Sequence, residues 1–244
     1  MKCALAAVGF INENIVYNKK VIIDTMIKYA KEADIILFGE AFLQGFYAAD
    51  FNPEHDETIA ITKDDSVIKE ICAVAEQYSI AVSFGFIERS GETFYSSQIT
   101  IDAKGQVLDL YRRVSPGWKE EFAGERYCEG KEFHTFDFMG QKVAVGLCGD
   151  LWFDENIEAM EALKPEVVFW PVYTDFNFKE WNTEMKLEYA EQAGKLSAKV
   201  LYVNSVCLDK EGEEIAKGGA VLFEHGCIVR EIPSGEENVL IVEV

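Results

Sequence analysis

The sequence predicts an α/β protein, with a mixed sheet or two sheets and helices packed outside. Three observations lead there. Short apolar strands alternate with amphipathic helices near both ends of the chain. Hairpin-like strand pairs lie between them. No linker, low-complexity tract or short repeat divides the 244 residues. A single domain over residues 1–244 is expected.

Cys3 to Phe10 reads as a buried strand. Tyr17 to Ala33 follows as a helix, with Val21, Ile22, Met26, Tyr29 and Ala30 on one face at three- and four-residue spacing. Ile35 to Phe38 is a second strand and stops at Gly39-Glu40. Ser66 to Tyr78 is a second helix, with Val67, Ile68, Ile71, Val74 and Ala75 as its apolar face. Ile80 to Ile87 is a strand. Glu92 to Asp102 and Val107 to Tyr111 form a hairpin around Asp102-Ala-Lys-Gly105. Lys142 to Leu147 is a strand running into Cys148. Glu155 to Leu163 is a short helix stopped by Pro165. Val167 to Trp170 is a strand and Trp181 to Ala198 a long helix. Val200 to Val206, Ala220 to Phe223, Cys227 to Arg230 and Val239 to Val244 close the chain as strands.

Hydrophobic residues make up 49 %, enough for a sizeable core rather than disorder. The formal net charge of −20 argues against partners such as nucleic acid or an anionic membrane face. The six cysteines, at positions 3, 72, 128, 148, 207 and 227, form no CxxC pair, and only His55, His134 and His225 could join them. No metal site and no cofactor are therefore expected. Gly218-Gly219 lacks the Lys-Ser/Thr of a nucleotide loop. The opening apolar run is too short for a signal peptide and no stretch reaches membrane-spanning length, so a cytoplasmic chain with reduced cysteines is expected.

Cys148 ends the run Val143-Ala-Val-Gly-Leu-Cys148 and is followed at once by Gly149-Asp-Leu-Trp-Phe153. A strand that stops at a sharp turn exposes its last side chain while the N–H groups beyond it point outward, as a nucleophile requires. A cysteine taken alone is more often a buried structural residue. To react, the thiol needs a base or a nearby cation. His134 alternates with aromatics in Phe133-His-Thr-Phe136 and reads as a strand-surface residue. Glu40 is better placed, because Ile35-Ile-Leu-Phe-Gly-Glu40 repeats the plan of the Cys148 strand. Polar groups at the ends of neighbouring buried strands converge there.

Three ordered segments are similar to the nitrilase-type carbon–nitrogen hydrolase superfamily: Phe38-Gly-Glu-Ala-Phe-Leu-Gln-Gly-Phe46, Leu110-Tyr-Arg-Arg-Val-Ser-Pro116 and Gly146-Leu-Cys-Gly-Asp-Leu-Trp-Phe153. Fainter echoes run through Asn18, Tyr95-Ser-Ser-Gln98, Trp170-Pro171, Tyr189-Ala-Glu-Gln-Ala193, Asn204 and Gly218-Gly-Ala-Val-Leu-Phe-Glu-His-Gly226. The resemblance implies a four-layer α-β-β-α sandwich and a Glu-Lys-Cys triad. Glu40 is then the general base, Cys148 the nucleophile, and the Gly149 N–H part of the oxyanion site.

The lysine of that triad is replaced here by Arg113, which keeps its charge but does not act as an acid or base near neutrality. Lys119 is the alternative cation, swinging in from the following loop. Glu121 best fits the spacing of the second glutamate that the family often adds, with Glu120 and Glu125 as alternatives. Phe153, Trp170 and Tyr173 are candidates to wall a small, water-poor substrate pocket, as is Trp181. The expected function is hydrolysis of a non-peptide C–N bond in a small amide through a cysteine thioester. N-carbamoyl hydrolysis is the next substrate class, and a ligand-binding member that has lost turnover is the rival reading. The family implies a homodimer or larger homo-oligomer.

Overall fold

Strands that are buried on both faces must be covered twice, and this chain does so in four layers. The computed structural model describes residues 1–244. The first half contains strands β1 (Lys2–Ala7), β2 (Gly9–Phe10), β3 (Ile35–Leu37), β4 (Ala81–Ser90), β5 (Thr93–Ile101) and β6 (Val107–Arg112). Its helices are α1 (Ile15–Tyr29), α2 (Pro53–Ile59) and α3 (Ser66–Tyr78). The second half contains β7 (Thr135–Phe138), β8 (Gln141–Val145), β9 (Val167–Val172), β10 (Lys199–Asn204), β11 (Val206–Cys207), β12 (Ala220–Glu224), β13 (Cys227–Ile232) and β14 (Asn238–Glu243). Its helices are α4 (Asp154–Ala162), α5 (Phe178–Glu180) and α6 (Lys186–Ala193), with a 3₁₀ turn at Cys148–Trp152 and a π turn at Trp181–Met185.

One six-stranded sheet has the order β14-β1-β3-β4-β5-β6 and the other β13-β12-β10-β9-β8-β7, while β11 and β2 make a small parallel pair. Successive side chains along a strand point to opposite faces. Leu5, Leu37, Val145, Phe169, Leu201 and Val242 therefore meet between the sheets. Their neighbours face outward. Ala4, Ala6 and Ile36 pack under Ile22, Met26, Ile68 and Ile71 of α1 and α3. Ala144, Val168, Trp170 and Tyr202 pack under Ile157, Met160, Tyr189 and Ala193 of α4 and α6. Each fully buried Val, Leu, Ile, Phe or Met side chain among them contributes about 1.5–3 kcal/mol. The expected α-β-β-α sandwich is what the chain forms.

Local differences from the expected elements have local causes. The first helix starts two residues early because the Asn14 side chain accepts from Tyr17 N. It stops at Tyr29 rather than Ala33, since Asp34 must return to pair with Lys2 on entering β3. Helix α2 was not expected: its sequence is polar, and the signal lay in Asn52 as cap and Pro53 at the first position. The late helix is broken, not continuous from Trp181 to Ala198. The π turn sets Trp181 in a stack on Tyr202, with ring centroids 4.7 Å apart, and α6 ends where Gly194 meets Gly226.

A smaller apolar cluster (Ala48, Ile59, Ile87, Phe94, Trp118 and Tyr127) ties two long loops together at one end of the sheets. The buried Asp56 carboxylate clasps them, accepting from Phe51 N at 3.0 Å and Tyr127 Oη at 2.6 Å. Beneath these loops lie the ends of β3, β6 and β8. No helix is long and apolar enough to cross a membrane.

Candidate active site

Glu40 follows β3 on a turn that glycines allow to lie close to neighbouring strands. A Cβ on Gly85 would stand 2.3 Å from Ala41 N, and one on Gly39 2.7 Å from the Val172 carbonyl. Glu40 N donates to that carbonyl at 3.1 Å, so the turn is wedged between the two sheets. The carboxylate is fully buried. Its Oε1 accepts from Ser96 Oγ at 2.8 Å and from Arg113 Nη1 at 3.0 Å. Its Oε2 has no partner in the protein.

Arg113 leaves β6 and is only 4 % exposed. Besides Glu40 it donates through Nε to Ser115 Oγ and through Nη2 to the Pro116 carbonyl, both at 3.0 Å. The guanidinium is thereby fixed in plane, with N–H groups left over. Burial works most strongly against its charge, but Glu40, Cys148 and Asp150 outweigh that and hold its pKa above the ordinary arginine value.

Cys148 has φ of +47°, the left-handed region that a non-glycine residue adopts only under constraint. The sharp turn expected after the strand is therefore present. Three contacts enforce it. Trp170 Nε1 donates to the Cys148 carbonyl at 2.8 Å. Cys148 Sγ donates to the Tyr173 carbonyl at 3.6 Å. Asp150, wholly buried, accepts from Leu147 N at 2.8 Å. Burial, and then the charge of Glu40, push the Cys148 thiol up to about 12, while Arg113 opposes the shift. The resting group is a thiol that needs a base. The N–H groups of Cys148 and Gly149 have no acceptor within the protein and are free for an oxyanion.

Asp150 also joins the two sheets. It accepts from Tyr111 Oη at 2.6 Å and from Ser115 N at 2.7 Å. One carboxylate thus fixes the Cys148 turn, at the end of β8, against the segment that carries Arg113. Burial raises its pKa from the ordinary aspartate value, and hydrogen bonds from Tyr111 and Ser115 counter this. Gly149 fits beneath the guanidinium only because it lacks a side chain: a Cβ would lie 2.5 Å from Arg113 Nη2.

Glu40, Arg113, Cys148 and Gly149 therefore come together. Other candidates do not. The Lys119 ammonium is held by the Tyr127 carbonyl at 2.6 Å and by Glu129 at 2.9 Å, away from Glu40. Glu121 is exposed and makes no hydrogen bond or ion pair. Glu120 and Glu125 are exposed too. Phe153 lies exposed at the start of α4, and Trp181 packs in the outer core. Trp170 is fully buried and braces the Cys148 backbone instead of walling a pocket. Tyr173 gives its carbonyl to the thiol and stacks its ring on Phe46, centroids 4.4 Å apart. His134 pairs with Asp109 of β6 at 2.7 Å and packs against the Tyr111 ring, and it makes no contact with Cys148 or Glu40.

Ser96, Ser115 and Asp150 were not assigned roles from sequence. Ser96 lay within the altered Tyr95-Ser-Ser-Gln98 echo. Asp150 stood two residues after the thiol, where a buried acid could have been read as a brace for the turn.

The carbon–nitrogen hydrolase family model matches residues 5–244. The chain belongs to this family. The expectation of a hydrolase acting on carbon–nitrogen bonds is met at that level. Among relatives, a citrullinase from Francisella tularensis is 25 % identical over 243 residues, covering 89 % of this chain and 84 % of that protein. An N-carbamoylputrescine amidase from Arabidopsis thaliana is 30 % identical over 148 residues, covering 59 % of this chain but only 48 % of the plant protein. Among solved structures, the NitN amidase from Nesterenkonia sp. AN1 superposes with a TM-score of 0.80 at 19 % identity, covering 100 % of this chain and 92 % of that one. A mutant of that amidase, with acrylamide added at its active-site cysteine, gives 0.79 at 19 % identity and covers 93 % of its chain. The structural likeness to the Nesterenkonia amidase extends over the whole fold.

Proposed function

We propose that the chain hydrolyses a small amide through a thioester on Cys148, with Arg113 in the place the family gives to lysine. The single observation that carries this reading is the unpartnered, fully buried Glu40 Oε2 beside a protonated thiol. Glu40 takes the Cys148 proton and the sulfur attacks the carbonyl carbon. The oxyanion is met by the Gly149 N–H and the spare N–H groups of Arg113. The tetrahedral intermediate collapses as Glu40 returns the proton to the departing ammonia or amine. Water, deprotonated by Glu40, then attacks the thioester, releasing the acid and restoring the thiol. Arg113 acts throughout as a fixed charge and transfers no proton.

Carbamoyl compounds are the second substrate class, favoured by the likeness to a citrullinase and an N-carbamoylputrescine amidase. A cytoplasmic setting belongs to the same proposal, because the nucleophile must stay reduced. So does a homo-oligomer. Its support is the exposure of Trp152, Phe153 and Leu187 on adjoining helical segments.

The test is ammonia release from a panel of small amides and carbamoyl compounds, by the wild type and by Cys148→Ala. Turnover by the wild type alone is expected. Turnover that survives the substitution contradicts the proposal, and an adduct that forms on Cys148 but never turns over favours a ligand-binding role.

A further inference from the structure

A cavity of about 480 Å³, within the size range of small-ligand sites, lies between the loop after Glu40 (Phe46 to Phe51) and the loop after Arg113 (Gly117 to Phe122). Two contacts join it to the reactive groups. Gly117 in its wall is so close to Arg113 that a Cβ there would lie 3.6 Å from Nη2. Phe46, also in the wall, stacks on Tyr173, whose carbonyl accepts from Cys148 Sγ. The space therefore adjoins Arg113 on one side and Tyr173 on the other.

The walls are aromatic and acidic. Phe46, Tyr47 and Trp118 supply rings, and Asp50 and Glu120 supply carboxylates. Lys119, the single cation of the lining, is neutralised by Glu129 at 2.9 Å. Glu120 has no counter-ion, and Asp50 shares His55 with Asp56 and Glu13. Tyr47 carries a second cation at the rim, Lys210 Nζ, 5.2 Å from its ring centroid. Its hydroxyl donates to Asp175 at 3.4 Å, adding a further negative charge at the rim. Trp118 is 6 % exposed, and its indole N–H has no acceptor in the protein, so a polar contact is left for a ligand. Ring faces and carboxylates both attract positive charge.

We infer that this cavity receives the cationic tail of the substrate, a short amide or carbamoyl compound ending in an ammonium or guanidinium group. The inference rests on the reading of Cys148 as a C–N hydrolytic nucleophile. An anionic tail meets Asp50 and Glu120 with Lys119 already spent. A neutral tail gains contact with the rings but none of the charge attraction.

The experiment compares three amides of equal length ending in ammonium, methyl and carboxylate, followed by ammonia release. The ammonium compound is expected to have the highest kcat/KM, by about tenfold over the neutral one. In Asp50→Asn/Glu120→Gln, or in high salt, the preference falls to about twofold. Equal or faster hydrolysis of the neutral or anionic compound overturns the inference and leaves the Cys148 chemistry standing. If none is hydrolysed, the hydrolytic reading fails, and labelling decides the cavity separately. Methanethiosulfonates bearing ammonium, neutral and sulfonate groups are reacted with the full chain. Modification of Cys148 is read by mass relative to the exposed Cys227 in the same digest. An ammonium preference at Cys148 beyond that at Cys227 supports the cationic cavity, and an equal order at both overturns it.

Discussion

Arg113 Nη1 donates to Glu40 Oε1 at 3.0 Å, and both side chains are buried where the two sheets meet. The pair leaves Glu40 Oε2 free for the proposed role as base and brings Arg113 Nη2 close to Gly149 of the Cys148 turn. A lysine at 113 would keep the charge but reach at most one or two of Glu40, Ser115 and Pro116. We expect Arg113→Lys to lower kcat about tenfold and Arg113→Met about 10²–10³-fold, with KM little changed. Steady-state ammonia release measures both. Wild-type kcat in Arg113→Met would remove the guanidinium from the mechanism.

The pH behaviour of Cys148 separates a base from a mere neighbour. Burial first, and the Glu40 charge second, raise the thiol to about 12. Glu40→Gln removes the second cause, so the thiolate forms at lower pH while amide turnover falls about 10²–10⁴-fold. Iodoacetamide labelling of Cys148 against pH should show the earlier onset, with hydrolysis measured in parallel. The linkage has a definite sign. The folded state keeps this proton where the unfolded state has lost it. The resulting stabilisation is present below the ordinary thiol value of 9.0 and is lost as pH climbs toward about 12. Cys148→Ala should make that decline shallower in denaturant titrations, with the buried Cys3, also raised to about 12, retaining its own share.

Gly149 tests the closeness of the turn to the guanidinium. Gly149→Ala places a Cβ 2.5 Å from Arg113 Nη2, which is already tied to Pro116. The guanidinium must shift, and kcat should fall about tenfold or more, since small misplacements are costly. A crystal structure of the variant would show the displaced side chain, and unchanged kcat would show that its position is not critical.

Tyr111→Phe removes one donor from Asp150 and leaves a wholly buried carboxylate less satisfied. A loss of about 1–3 kcal/mol of stability is expected in denaturant titration. Glu121→Gln, at an exposed and unpaired position, should leave kcat/KM within about twofold of the wild type. A large loss there would give Glu121 the second-glutamate role.

The layers were legible because buried strands announce themselves as apolar runs and amphipathic helices by their spacing. Leu5, Leu37 and Val145 needed no more than that. The placing of Glu40 and Cys148 at one end of the sheets was legible because each closely follows such a strand. The loops were not. Nothing local to Trp-Lys-Glu-Glu121 shows that Lys119 turns to Glu129, because that partner is chosen by where Tyr127 anchors on Phe94 and Asp56. The π turn at Trp181 was equally hidden, since it answers to Tyr202, a residue on a distant strand. Ser96 and Asp150 were passed over because small polar residues near strand ends gain meaning only when the opposite sheet supplies their partners.

The most direct test is intact-protein mass after rapid acid quench during turnover of a small amide. A population carrying the acyl group on Cys148, absent in Cys148→Ala and formed and lost at rates compatible with kcat, is the expected result. Turnover with no acyl adduct at any quench time, or hydrolysis by Cys148→Ala at the wild-type rate, would contradict the thioester mechanism.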